Sequence, residues 1–149
     1  MMSEYLETTI DKFIFRVATD RLYTPEGVWA LLEGNRVRIG LTDYQQQLNG
    51  DVAFVHLKPV GTKFAAGDEL AEMETIKATV SFFSPVSGTL IEVNPDLELS
   101  PEVINQDPYG KGWLAVIESA RWEVDRAKLI DAKAYLEWMR SQAEQELKK

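Results

Sequence analysis

No cysteine occurs among the 149 residues of this chain. That removes disulfide frameworks, thiolate metal sites and cysteine nucleophiles, so any thiol chemistry has to come from an added group. Histidine is nearly as scarce. His56 is the single one; it lies in an alternating strand pattern beside Leu57, with no second histidine to share a metal, and reads as an ordinary strand residue. Long apolar runs are missing: no stretch approaches the length of a membrane span. The opening residues Met1-Met2-Ser3-Glu4-Tyr5-Leu6-Glu7 are acidic and hold no signal-peptide core. A cytoplasmic location without membrane contact is the expectation. Positive charge is short as well, with 16 Lys and Arg against 24 Asp and Glu and a net charge of −8. Phosphate backbones need Lys/Arg stripes, so nucleic acid is not an expected partner. An acidic surface instead suits proteins with basic docking patches, whose encounter it speeds.

Catalytic constellations are equally thin. Ser84 and Ser87 have no base partner in the pattern. Glu72 and Glu74, at i and i+2, share one strand face and read as a solvated acidic face. No glycine-rich phosphate loop is present. The expectation is a protein with no catalytic residues and no metal. Trp29, Trp113, Trp122 and Trp138 read as core and helix-packing residues rather than a binding platform.

What the sequence does have is a dense run of short strands. With 45% hydrophobic and 27% charged residues it has the composition of a globular domain. Residues 1–12 read as a polar lead-in. Strands are expected at Phe13–Val17, Val28–Leu32, Arg36–Leu41, Val52–Leu57, Glu69–Ile76, Gly88–Val93 and Trp113–Ile117, separated by Pro/Gly/Asn/Asp turns. Val37 and Ile39 should face inward from a hairpin turned at Glu33-Gly34-Asn35. Thr42 with Gln45 has capping-box spacing for a short helix that Asn49-Gly50 ends. Residues 94–110 read as one long loop. After Glu118 the period changes: Leu129, Ala132, Leu136, Met139, Ala143 and Leu147 recur at three- and four-residue steps, a helical tail in one or two pieces. The pattern predicts a small β-sandwich or barrel with a C-terminal helical appendage.

Lys77 stands out. Between Asp68 and Asp107 it is the only Lys or Arg, amid nine Asp and Glu residues. The strand ending Glu72-Met73-Glu74-Thr75-Ile76 and the turn Ser84-Pro85-Val86-Ser87-Gly88 that restarts a strand place it at or near a hairpin tip. Most lysines are solvated charges. One cation displayed at a turn on an acidic field, flanked by Ile76 and Ala78, reads as an attachment point for a tethered arm.

The ordered motifs resemble the glycine-cleavage H protein family. Gly40-Leu41-Thr42-Asp43-Tyr44 is similar to its G-I-T-D-Y/H segment, and Gly50-Asp51-Val52-Ala53-Phe54-Val55 to its G-D-I-V-F-V strand. Glu74-Thr75-Ile76-Lys77-Ala78 resembles E-S-V-K-A. Ser84-Pro85-Val86-Ser87-Gly88 through Glu92-Val93-Asn94 is similar to S-P-V-S-G-x-V-x-E-V-N. Asn105 to Trp113 resembles N-x-D-P-Y-G-x-G-W. The resemblance runs from about Tyr23 onward. It implies a mainly β, lipoyl-domain-like β-sandwich hybrid (a flattened barrel) with a short internal helix and C-terminal helices. It also implies lipoate amide-linked to Lys77 and a carrier that catalyses nothing itself. One lipoyl-carrier domain over residues 1–149 is expected, with its core at about 13–118 and a helical tail at about 123–148. The implied partners are a lipoate-protein ligase, or a lipoyl synthase and transferase, and the P, T and L proteins of glycine cleavage. A biotin carrier, the related alternative, has Met on both sides of its lysine.

The departures are local. Where the family has Y-x-x-S/E-H-E-W, this chain has Tyr23-Thr24-Pro25-Glu26-Gly27-Val28-Trp29, so Gly27 replaces the histidine and Val28 the glutamate. Ser81 replaces an aspartate four residues past the lysine. In the family those two acids shelter an amine cargo; Val28 offers no acceptor. With its long N-terminal segment, the chain looks more like the lipoate-binding protein branch of the heterodisulfide-reductase-like sulfur-oxidation pathway. That branch implies a heterodisulfide-reductase-like complex as partner and shuttling in sulfur oxidation. Carriage of the aminomethyl group in glycine decarboxylation is the alternative. Glu26, Val28, Glu74, Ser81 and Asn105 are the candidate residues of a cleft sheltering the arm.

Overall fold

The computed structural model describes residues 4–147. In chain order these form strands β1 (Tyr5–Ile10), β2 (Phe13–Ala18), β3 (Leu22–Tyr23), β4 (Val28–Glu33) and β5 (Arg36–Leu41), then helix α1 (Asp43–Asn49). Strands β6 (Val52–Leu57), β7 (Lys63–Phe64), β8 (Glu69–Thr75), β9 (Thr79–Phe83) and β10 (Gly88–Val93) follow. Helix α2 (Val103–Gln106), strand β11 (Ala115–Ser119) and helices α3 (Trp122–Asp125) and α4 (Ala132–Leu147) complete the order. The strands make a six-stranded sheet in the order β3-β4-β5-β11-β10-β7, a three-stranded sheet β6-β8-β9 and a separate hairpin β1-β2. The architecture is mainly β and sandwich-like, with helices at the C-terminus.

Strand alternation decides which face each residue joins. Val28, Ala30, Val37, Ile39, Leu41, Ala115 and Ile117 point from the six-stranded sheet into one core, where Leu70, Met73 and Phe82 of the three-stranded sheet meet them. The opposite face carries Trp29, which packs with Tyr23, Tyr44, Tyr109, Tyr135 and Met139 in a second core beneath α4 and the β1-β2 hairpin. Trp29 lies opposite Gly40 in the β4-β5 register, and a Cβ on Gly40 would run into the indole. The glycine is there for closeness of approach. We expect Gly40→Ala to cost about 2–3 kcal/mol through overpacking, read as a lower urea midpoint at unchanged slope; a change within ~0.5 kcal/mol would contradict this packing.

Polar atoms in the second core are matched. Tyr23 donates its hydroxyl hydrogen to the Ala18 carbonyl and Tyr109 to the Arg16 carbonyl, while the hydroxyls of Tyr135 and Thr42 share a hydrogen bond of 2.7 Å. Arg21 is almost fully buried. Its guanidinium lies 4.5 Å over Trp29 and 5.4 Å over Tyr109, and donates to the Tyr109 carbonyl and to Asp20. Burial pushes the Tyr23, Tyr109 and Tyr135 hydroxyls well above the usual phenol range, against a weaker opposing pull from Arg21 on Tyr23.

Several sequence expectations need correction. The polar lead-in is a strand from Tyr5: Thr8 and Ile10 alternate inward against β2, with Asp11 at φ 57° in the tight turn between them. Polar Glu7 and Thr9 on the outer face disguised that period. Glu69–Ile76 does not restart at Gly88. An intervening strand, β9, pairs with β8, and Gly88–Val93 belongs to the other sheet. Lys77 is therefore at a hairpin tip, but its return strand is Thr79–Phe83. The loop after Asn94 contains a 3-10 turn at Pro95–Leu97 and the short α2. Half of the expected capping box forms: the Thr42 hydroxyl accepts from the Gln45 amide, whereas the Thr42 amide donates to the Gly27 carbonyl. In the tail, Ala132, Tyr135, Met139 and Ala143 are the buried stripe; the side chain of Leu147 and the whole of Lys148 lie outside the described residues.

Candidate functional site

The β8-β9 turn, residues 75–78, is pinned by one side chain. The Thr75 hydroxyl oxygen accepts from the amides of Lys77 and Ala78, both at 3.2 Å, and its hydrogen goes to the Ala78 carbonyl. The Thr75 amide donates to the same carbonyl at 2.9 Å, and the Ile76 amide reaches the Asp51 carbonyl. Lys77 is exposed on this tip, beside Ile76 at 73% exposure. Its Nζ donates to the Leu48 carbonyl at 3.4 Å, at the C-terminal end of α1. A rigid turn with an exposed amine at its end fits a long acyl arm: the root is fixed, and among the described residues the amine has one weak hydrogen bond to give up.

A cleft of about 540 Å³ lies between the two sheets, lined from Val80 onward by the strand that follows the lysine turn. Glu26, Val28 and Gln45 form one wall; Val80, Ser81, Phe82 and Phe83 of β9 form the other, with Leu129 closing an end. Val28 is 2% exposed, so the cleft floor is apolar where the family pattern has a carboxylate. Gly27 has φ 91°, and any Cβ there would press on the Gln45 side chain. A histidine in that position therefore needs a different turn.

Of the five sequence candidates, Glu26, Val28 and Ser81 line this cleft and two do not. Glu74 turns to the outer face of the three-stranded sheet, where its carboxylate meets His56 Nε2 at 3.3 Å. Asn105 is a brace. Its amide nitrogen donates to Gln46 Oε1 and the Gly50 carbonyl, and its oxygen accepts from the Val52 amide. It thus ties α1 to the start of β6, against which the lysine turn rests. Gln45, Phe82 and Phe83 were missed. The alternation Val80-Ser81-Phe82-Phe83 after the lysine was the available signal for β9.

The Ser-Pro-Val-Ser-Gly motif is structural. Ser84 Oγ closes a local turn with the Val86 carbonyl and amide, and the Ser87 amide donates to the buried Asp125 carboxylate at 2.7 Å. Gly88 sits where a Cβ would collide with the Glu118 carbonyl. Among the described residues no group of acids and histidine could hold a metal, and no helix is long and apolar enough to cross a membrane.

The model of the family described as glycine cleavage H-protein matches residues 21–142. The chain is 42% identical over 127 residues to a glycine cleavage system H protein of Thermus thermophilus, covering 85% of this chain and 98% of that one. It is 43% identical over 128 residues to a probable glycine cleavage system H protein of Pyrococcus abyssi, covering 85% and 95%. Its fold is similar to the crystal structure of a glycine cleavage system H protein from Mycobacterium marinum. That likeness has TM-score 0.69 and 32% identity, and covers 78% of this chain and 94% of the other.

Proposed function

This chain belongs to the glycine cleavage H-protein family, and from that premise we propose that Lys77 carries lipoate and that the protein shuttles the aminomethyl group of glycine decarboxylation. Lipoate on a lysine is the family's covalent cofactor, and members are carriers rather than catalysts. The observation that carries the assignment to Lys77 is geometric: an exposed lysine at the tip of a turn that Thr75 pins, leading into the strand that walls a cleft able to take the end of an arm. Lipoate supplies a dithiolane that accepts a group at one active site and yields it at another. The chain's residues hold the root, shelter the loaded end, and raise the effective concentration of the arm at docked enzymes. Residues 1–149 act as one carrier domain. The proposed partners are the P, T and L proteins and a lipoate-attaching enzyme.

A second reading rests on the cleft itself. With Val28 and Ser81 in place of two carboxylates, Glu26 is the one carboxylate left in the cleft lining for a cationic amine, and Lys128 lines the same cleft. This favours a neutral or sulfur-centred cargo, as in the sulfur-oxidation branch. The test is Val28→Glu with Ser81→Asp. If glycine cleavage is the function, the lipoylated wild type is loaded by glycine decarboxylase and glycine. The double variant then holds the aminomethyl group at least about ten- to a hundredfold longer, the effect of a single hydrogen bond to a charged group worth ~1.5–3 kcal/mol. Wild-type protein that is lipoylated yet never loaded would overturn glycine cleavage in favour of the second reading.

A further inference from the structure

The lysine tip borders a second hollow, distinct from the β9 cleft. Its volume is about 230 Å³, and Lys77 itself is among its lining residues, which is not so for the larger cleft. Ile10, Phe13 and Phe15 of the β1-β2 hairpin, Tyr44, Gln47 and Leu48 of α1, and Ala143 and Glu146 of α4 line it, a mainly apolar groove with one carboxylate. The hairpin lies outside the residues that match the family model, which begin at 21. It is nonetheless anchored: the Arg16 amide donates to Asp43 and Gln47 donates to the Ile14 carbonyl, both on α1. Phe13 and Leu48 remain 46% and 42% exposed, apolar surface that the described residues leave uncovered. The lysine stem leans this way, with Nζ at the Leu48 carbonyl and Cε 3.5 Å from where a Gly50 Cβ would stand.

We propose that this groove, walled by the N-terminal hairpin, is a resting dock for the unloaded lipoyl arm on Lys77, so that the chain holds its arm at two alternative sites. Occupancy follows from chemistry. The arm is a run of methylenes ending in an apolar disulfide ring, and burying methylenes against Phe13, Phe15 and Leu48 removes from water two apolar surfaces at once. No polar group of the arm beyond its amide needs a partner, and the Leu48 carbonyl already accepts from the lysine nitrogen. The tether makes the encounter intramolecular. The hairpin thereby protects the disulfide from stray reductants between visits to partner enzymes, and release requires only rotation about the lysine side chain.

This inference rests on lipoylation of Lys77. The full chain is lipoylated with a lipoate-protein ligase, and attachment is confirmed by intact mass. Side-chain NMR of the protein with and without the arm should then show arm contacts to Phe13, Phe15 and Leu48. The rate of arm reduction by a small phosphine should rise at least threefold in Phe13→Ser and return toward wild type in Phe13→Leu. Phe13 is half-exposed, so both variants are expected to fold. Arm contacts to the Val28 cleft alone, or to neither hollow, would overturn the dock while leaving the carrier function intact. Failure of Lys77 to accept lipoate would overturn both.

Discussion

Lys77→Arg is expected to give a fully folded protein that takes up no lipoate and supports no carrier turnover above background. Arginine preserves charge, length and exposure at the turn, and its guanidinium can still reach the Leu48 carbonyl. The Thr75 hydrogen bonds go to backbone amides and do not depend on the side chain at 77. Stability should therefore stay within ~0.5 kcal/mol, as for surface substitutions generally. Chemistry is another matter. Acylation needs a nitrogen lone pair, which the lysine amine gains on losing a proton and the permanently charged, delocalised guanidinium does not. Intact mass after incubation with lipoate and ligase, alongside a thermal melt, checks both halves. Residual lipoylation of the variant would show that another lysine is the attachment point.

The second large effect is alkaline unfolding. Of the five tyrosines, Tyr23, Tyr44, Tyr109 and Tyr135 are buried; desolvation raises all four hydroxyls and holds those of Tyr23, Tyr109 and Tyr135 protonated well beyond the usual range. In the unfolded chain they titrate near about pH 10. Below that pH both states keep the protons and stability is unaffected. Above it the unfolded chain loses protons that the folded one retains, so stability falls as pH rises. Three such groups give a slope of up to ~4 kcal/mol per pH unit. By about pH 11.5 the loss reaches ~6 kcal/mol, comparable with the whole stability of an ordinary domain. Urea titrations from pH 8 upward should show a flat region followed by a steep decline. Phenolate absorbance of the three tyrosines should appear only with unfolding. Smooth titration of all five near pH 10 in a folded protein would contradict the packing of the second core.

Much of the fold could be read from residues whose local chemistry has a single outcome. Val37 and Ile39 alternate without ambiguity, Gly50 with φ 82° ends α1, and the Thr42 hydroxyl caps it. The place of Lys77 at a hairpin tip was legible because its strand ends in β-branched residues and a Pro/Gly turn follows within a few residues. The strand β9 escaped notice because Thr79–Phe83 is short and follows the lysine so closely that Ser84-Pro85 looked like the hairpin's own turn. The N-terminal strand escaped because its outward residues are polar and its inward Thr8 is only weakly apolar; its pairing with β2 is a tertiary fact. Glu74 and Asn105 show the same limit. Glu74 lies in the lysine's own motif and Asn105 in a later one, yet alternation turns Glu74 to His56 on the outer face, and Asn105 is drawn into bracing α1. Val28 and Ser81 line one cleft only because β4 and β9, in different sheets, are brought together by the fold.

Peptide-resolved mass spectrometry of the wild-type chain, incubated first with lipoate and its ligase and then with glycine and glycine decarboxylase, is the most direct test of the carrier function. A single lipoyl increment on the peptide containing Lys77, converted by the second step to its aminomethylated form, is the predicted result. An increment on any other lysine, or none, would contradict it.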